Sequence, residues 1–387
     1  MLRFFIINNI RGINMMFSIV DHFSIIEDPR QQSKVEYELL DVIFLCVVGM
    51  ICGAEAWHDI ETVGEARLDW FQNKGFLLNG VPTAITIARI IGCLNPKELQ
   101  QCFINWMASV KTATEGQVIA VDGKRLRGSH DNKKNQSAIH MVSAFSTNNG
   151  VVLGQIKTEG KSNEITAIPA LLDLLETKGC IVTIDAMGCQ ENIAAKIIEK
   201  KSDYILAVKD NQKNLHHEII DFFECARQHD FKGVAHDYFE ETCKGHGRVE
   251  IRRSWISSCL DTIENKQKWS GITAIGMIES ERHVKGVTTI ERRHYIASIA
   301  QNAEAFAQAV RAHWSIENKL HWVLDVTFKE DASRVRRDNC AENLGVVRHV
   351  AINILRQDKT TKKSLKAKRY KCAVDAKYAN MVLDGLF

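Results

Sequence analysis

No Cys-x-x-Cys pair occurs among the eleven cysteines scattered between Cys46 and Cys372, so a thiolate zinc site of ordinary spacing is excluded. Their odd number and wide separation fit reduced thiols in a cytoplasm better than a disulfide framework. Long hydrophobic runs are also missing. Leu39 to Ala54, the most apolar stretch, carries Asp41 and two glycines and is too short to cross a bilayer, which leaves a buried helix. Phe4 to Ile7 is cut off by Asn8-Asn9 and lacks the apolar core and cleavage site of a signal peptide, so residues 1–16 read as an extension ahead of a start at Met15 or Met16. Net charge is only +3, too little to point to a polyanion, so any such partner must be argued from where the charges lie. There is no internal repeat, low-complexity tract or phosphate-cradling glycine loop. Gly245-His-Gly247 lacks the strand and the lysine-serine context of such a loop, so nucleotide triphosphate use is not indicated.

What is present suits a globular protein of two or three domains: 387 residues, 45% hydrophobic and 25% charged. Residues 16 to about 110 carry apolar side chains at three- and four-residue steps, predicting helices over 37–53, 54–74, 83–93 and 96–107, with Pro96 at a first helical position. From Gln117 the texture becomes strand-like. Val118 to Val121 is a short apolar run, and 138–146 and 151–157 flank the hairpin turn Asn148-Asn-Gly150. A helix capped by Asn163 and holding Pro169, a strand at 180–184, a helix at 191–200 and a strand at 204–208 follow. Alternating segments over 209–292 predict an inserted antiparallel sheet; a strand at 293–299 and one long helix over 302–328 close the pattern.

Three carboxylates carry the chemistry. Asp122 and Asp185 end short β-branched runs, and Glu317 sits in the long helix, where Val310, Trp314, Glu317, Leu320 and Leu324 share a face by spacing. Each has a plainer reading: a turn at Asp122-Gly123, a cap at Asp185, an ion pair of Glu317 with Arg311 or Lys319. Their joint placement on a first strand, a fourth strand and a closing helix is instead the layout of an RNase H-like α/β enzyme acting on nucleic acid. Displacing a phosphodiester oxygen needs charge neutralised on the entering and leaving oxygens. Hard divalent cations held by carboxylates supply that. Spacing makes Trp314 and Trp322 core residues rather than base-stacking platforms. Seven basic residues between Lys359 and Lys371, with no acid, form a polyanion-seeking segment or a solvated helix face.

Five blocks, Ala120 to Ser129, Lys161 to Pro169, Thr183 to Gln190, Lys209-Asp-Asn-Gln212 and His313 to Trp322, with the shorter His246-Gly-Arg248, resemble signatures of the H-repeat-associated transposases of the insertion-sequence DDE class. The resemblance runs from about Phe17 beyond Val350. It implies a bacterial, nucleoid-associated enzyme in which Asp122, Asp185 and Glu317 hold Mg²⁺ or Mn²⁺. Such an enzyme cuts double-stranded element ends and joins them to target DNA as a homo-oligomer, with no membrane association. The implied domains are a helical DNA-reading head at 17–112, an RNase H-like catalytic domain at 113–330 with its β insertion at 209–292, and a basic helical region at 331–387. The alternatives are a metal-dependent nuclease without transfer, or an inactive, domesticated DNA-binding descendant.

Lys124 and Arg127 are candidates to touch the scissile strand, as Lys209, Asn211, Gln212, His246 and Arg248 are for the DNA backbone, each with a solvated turn or loop as the alternative. Around Glu317 the chain departs from the wider class, with Val310, His313 and Leu324 at steps where tyrosine, arginine and lysine are usual. Arg311, His313, Lys319 and His321 are the phosphate-handling candidates that remain. Ala84 and Ile85 likewise replace a usual histidine and aspartate in the head. Glu164 is expected to cap its helix behind Asn163, or else to support the metals from behind.

Overall fold

The computed structural model describes residues 19–110, 116–130, 137–158, 164–245 and 247–384; the extension over 1–16, the capping Asn163 and His246 lie outside the described residues. Among the described residues six α-helices come first: α1 (Ile19–Phe23), α2 (Leu39–Ile51), α3 (Trp57–Ala66), α4 (Leu68–Asn73), α5 (Ala84–Cys93) and α6 (Pro96–Val110). The apolar run at Leu39 becomes α2, almost wholly buried, as its composition requires. Thr83 caps α5 by accepting from Thr86 N, and Pro96 opens α6 where its missing N–H costs nothing. The single helix expected over 54–74 is two, parted at Arg67, whose guanidinium donates to Cys372 O at 2.7 Å.

The strands are β1 (Val118–Leu126), β2 (Ile139–Ser146), β3 (Val151–Lys157), β4 (Ile181–Ile184), β5 (Asp203–Val208), β6 (His236–Gly245), β7 (Arg248–Ser257), β8 (Ala274–Val284) and β9 (Val287–Ala297). Helices α7 (Glu164–Leu174), α8 (Glu191–Glu199) and α9 (Lys213–Gln228) are interleaved with them. All nine strands form one mixed sheet in the order β3-β2-β1-β4-β5-β9-β8-β7-β6, parallel only at β1–β4 and β4–β5. This corrects the expected insert. The region is antiparallel, but it opens with α9, and β9 runs without a break from the insert into the strand paired with β5, so among the described residues these strands belong to the one sheet.

The remaining helices are α10 (Ala303–His313), a π-helical turn (Ile316–His321), α11 (Trp322–Val326), α12 (Cys340–Gln357), α13 (Leu365–Val374) and α14 (Ala376–Asp384). Helix α10, capped by Asn302, lies against β1, β4, β5, β6 and β7; α7 packs on β2 and β3, and α8 on β5. The expected single helix over 302–328 is thus broken by the π turn. Helix α12 is the spine of the molecule, nearly every side chain buried between the N-terminal helices and β3. One continuous apolar core therefore joins those helices to the sheet.

The basic tail also divides in a way its composition does not reveal. Lys368 is buried, donating to Leu355 O at 2.9 Å and Asp358 O at 2.6 Å. Buried Arg369 donates to Met50 O, Ala54 O and Thr327 O, with its guanidinium 4.1 Å from the Phe328 ring centre. A charge that satisfies three carbonyls is a clamp between segments. Lys359, Lys362, Lys363 and Lys366 remain exposed.

Candidate active site

Val118 to Val121 of β1 and Ile181 to Ile184 of β4 are short, largely β-branched runs, which suits a parallel pair covered on both faces. Their last paired residues are Val121 and Ile184, so Asp122 and Asp185 are each the next residue along two neighbouring chains. β4 ends there, whereas β1 continues along β2 to Leu126. The Asp185 carboxylate accepts from Met187 N and Gly188 N at 3.0 and 3.4 Å, capping the short 3-10 turn Ala186–Gly188 rather than the helix beginning near Cys189 that the plainer reading implied. Capping and site membership coexist.

Glu317 arrives on the π turn, which lies against β1. The expected shared apolar face is corrected here. Val310, Leu320 and Leu324 are buried, but Glu317 is exposed, and Trp314 and Trp322 are 39% and 57% exposed rather than core. The helix is interrupted at Trp314 and then widens into the π turn, so a facing counted at a uniform 3.6 residues per turn from Val310 to Leu324 does not hold. Arg293 lies 4.7 Å from the Trp314 ring centre. At the far end of the turn, His321 Nδ1 is 3.4 Å from Asp122 Oδ2.

Electrostatics tie the acids together. Burial first, then the charges of Asp185, Glu164 and Glu317, push the Asp122 carboxyl up to about 7. Burial and Glu164 raise Asp185, while its two backbone donors and Lys209 pull it back. Burial holds His321 and His313 down at about 4, leaving neutral imidazoles. Among the described residues no three His, Cys, Asp or Glu side chains converge as a ready-made metal site. The donor chemistry nonetheless suits a hard divalent cation, because Asp122 has an oxygen-only set of acids around it whose mutual repulsion a cation would relieve.

The other sequence candidates are spread more widely. Lys124 is turned inward, its ammonium 2.7 Å from Asp325, 3.1 Å from Glu330 and 3.1 Å from Asp331. Arg127, three residues further along the chain, is exposed beside Asp331. Lys209 is exposed near Asp185, whereas Asn211 and Gln212 donate to Ala186 O at 2.7 Å and Cys189 O at 2.9 Å and so brace the loop that holds Asp185. His313 Nδ1 meets Thr183 Oγ1 at 3.1 Å, and Arg311 reaches Glu241 at 2.8 Å. Lys319 is exposed, with its carbonyl engaged by Arg356. Arg248 lies in the outer strands beside Glu250. The residue that sequence reasoning underrated is Glu164, which bears on both aspartates. The only local signal was its dense Lys-Ser-Asn-Glu block.

Residues 113–354 match the model of the transposase DDE domain, and residues 20–107 match that of a DDE_Tnp_1-associated region. The chain is 46% identical over 370 residues to YncI of Escherichia coli O157:H7, covering 95% of this chain and 94% of that protein. It is 44% identical over 372 residues to the H repeat-associated YhhI of Escherichia coli K12, covering 95% and 98%. Among solved structures, a piggyBac transposase synaptic complex with hairpin DNA aligns with a TM-score of 0.45 at 12% identity, over 92% of this chain and 75% of that one. At that level the likeness is loose.

Proposed function

From the premise that this chain belongs to the DDE transposase family, we propose that it cleaves the ends of a DNA element and joins the freed 3′ hydroxyl to target DNA, on an RNase H-like core. The observation that carries the reading is the adjacency of Asp122 and Asp185 at the ends of paired parallel strands, with the Glu317 turn laid on the same β1. Asp122, Asp185 and Glu317 would hold the Mg²⁺ or Mn²⁺. A divalent cation bound there supplies an activated water and neutralises charge on the phosphate oxygens.

The chain's own residues prepare that site. Burial first, and then the neighbouring acids, leave Asp122 partly protonated near neutral pH, and positive charge arriving beside it relieves the repulsive part of that shift and favours loss of the proton. Asp185 is fixed by Met187 N and Gly188 N before anything binds. His321, held neutral, packs against Asp122 and limits its rotation. Exposed Arg127, Lys209 and Lys319, with the lysines from Lys359 to Lys366, offer phosphate contacts that position DNA without reading its sequence.

Labelled element ends incubated with the protein and Mg²⁺ should yield nicked and joined products. Asp122→Ala, Asp185→Ala and Glu317→Ala should each lower both by at least about a hundredfold while leaving end binding largely intact. Cleavage without joining would make the protein a nuclease. Undiminished cleavage in any one variant would remove that residue from the site.

A further inference from the structure

Gly123, immediately after Asp122, has no positive φ to demand a glycine. The demand comes from a neighbour. A Cβ placed on residue 123 would stand 2.0 Å from Glu164 Oε1, 2.4 Å from Glu164 Cδ and 2.6 Å from His140 Nε2. The Glu164 carboxylate is therefore seated directly on the β1 backbone, where only glycine leaves room. His140 Nε2 lies 2.9 Å from Glu164 Oε1 and fixes the orientation of that seat. His140 stands on β2 opposite Arg125, two residues along from Gly123, so the glycine and the imidazole share a face of the sheet.

The seat is costly in isolation. Glu164 is only 9% exposed, at the first residue of α7, and among the described residues its partner is His140, not a lysine or arginine, while its charge bears on Asp122 and Asp185. The positive end of α7 offsets part of that cost but does not explain why the acid faces two others. The topology supplies a reason. Alternation along β1 puts Asp122 on one face and Gly123 on the other, and β4 stops at Ile184, so beyond Val121 it no longer covers that edge of β1. Asp122 and the Gly123 seat of Glu164 are thus consecutive residues of β1 where this edge opens, and Asp185 is the first residue after β4 on the neighbouring chain.

Resting on the cation-dependent reading above, we propose that Glu164 is a fourth acid of the cation centre: its carboxylate adds to the charge that Asp122 and Asp185 offer a divalent ion, and Gly123 and His140 exist at their positions to seat it. Glu164 then sets how tightly the centre holds its ion.

The test is Mn²⁺ titration of the full-length protein by calorimetry, with the melting temperature measured in chelator. Glu164→Gln keeps the shape of the seat and the contact with His140 but removes the charge. It should weaken Mn²⁺ binding about 10- to 100-fold without lowering the metal-free melting temperature. Glu164→Asp, which keeps the charge but withdraws it by one methylene, should fall between wild type and Glu164→Gln. Asp122→Asn is the control for the underlying reading. If Asp122→Asn weakens Mn²⁺ binding and both Glu164 variants bind like wild type, the proposal for Glu164 fails alone. If Asp122→Asn also binds like wild type, or wild type binds no Mn²⁺, the cation reading falls with it. A lower metal-free melting temperature with unchanged Mn²⁺ affinity would reduce Glu164 to a structural part of α7.

Discussion

His321 Nδ1 stands 3.4 Å from Asp122 Oδ2, yet the two do not form an ion pair across most of the acid range. Burial holds the imidazole down at about 4, while burial and neighbouring acids hold the carboxyl up at about 7, so between those values both are mainly neutral. The pair therefore reports on pH in opposite directions.

Asp122 binds its proton more tightly in the folded state than its ordinary 3.8, so it contributes stability that is full below about pH 4 and lost as pH rises through about 7. His321, depressed from 6.5, contributes stability present above 6.5 and lost as pH falls through about 4. Asp122→Asn removes the first contribution. In chelator at pH 8 the variant should be the more stable by about 1–3 kcal/mol, below the roughly 4 kcal/mol that a three-unit shift allows, and the advantage should vanish by pH 4. Urea unfolding across that range measures it; a difference that does not change with pH would show that Asp122 is not held protonated.

Only the exposed lysines of the C-terminal segment are free to meet DNA phosphate. Replacing Lys359, Lys362, Lys363 and Lys366 with alanine should reduce the slope of log affinity against log salt by up to about 3.6, with little change in melting temperature. Arg369→Ala should do the reverse, lowering the melting temperature because three carbonyls and the Phe328 face lose their cation, at unchanged salt slope. An unchanged slope in the four-lysine variant would leave that segment a solvated surface.

Lys124 joins the strand bearing Asp122 to the chain just beyond Glu317 through Asp325, Glu330 and Asp331. Removing one partner from a buried charge cluster strands the others. Lys124→Met should therefore cost about 3–5 kcal/mol in denaturant unfolding, far more than loss of an exposed DNA contact. A cost below about 1 kcal/mol would return Lys124 to the surface role its position after Asp122 suggests.

Trp322 is more than half exposed, so Trp322→Ala should lower stability by less than about 1 kcal/mol, against the 3–5 kcal/mol of a core tryptophan. Thermal unfolding of the free protein separates the two. A core-sized loss would mean that the π turn does not rotate Trp322 outward.

Much of the fold was legible because its signals are local. Two β-branched runs, each followed by aspartate, the Asn148-Asn-Gly150 hairpin and the helix start at Pro96 depend on neighbours within a few residues, and short-range sterics and hydrogen bonding fix them. The facing of Glu317 was not legible, because one π turn changes the angular step in the middle of a pattern that reads as a single helix.

The amino-acid order by itself determined most of the N-terminal helices and the first five strands, and which acids could matter, since β-branching, periodicity and turn chemistry act along the chain. Tertiary structure alone decided that Asp122 and Asp185 are neighbours, that Gly123 is empty so that Glu164 can sit over it, that Lys124 is buried, and that the outer strands extend one sheet. Those facts depend on parallel register and on charges tens to hundreds of residues apart. Local sterics do not reach that far; packing and Coulomb interaction across the folded core do.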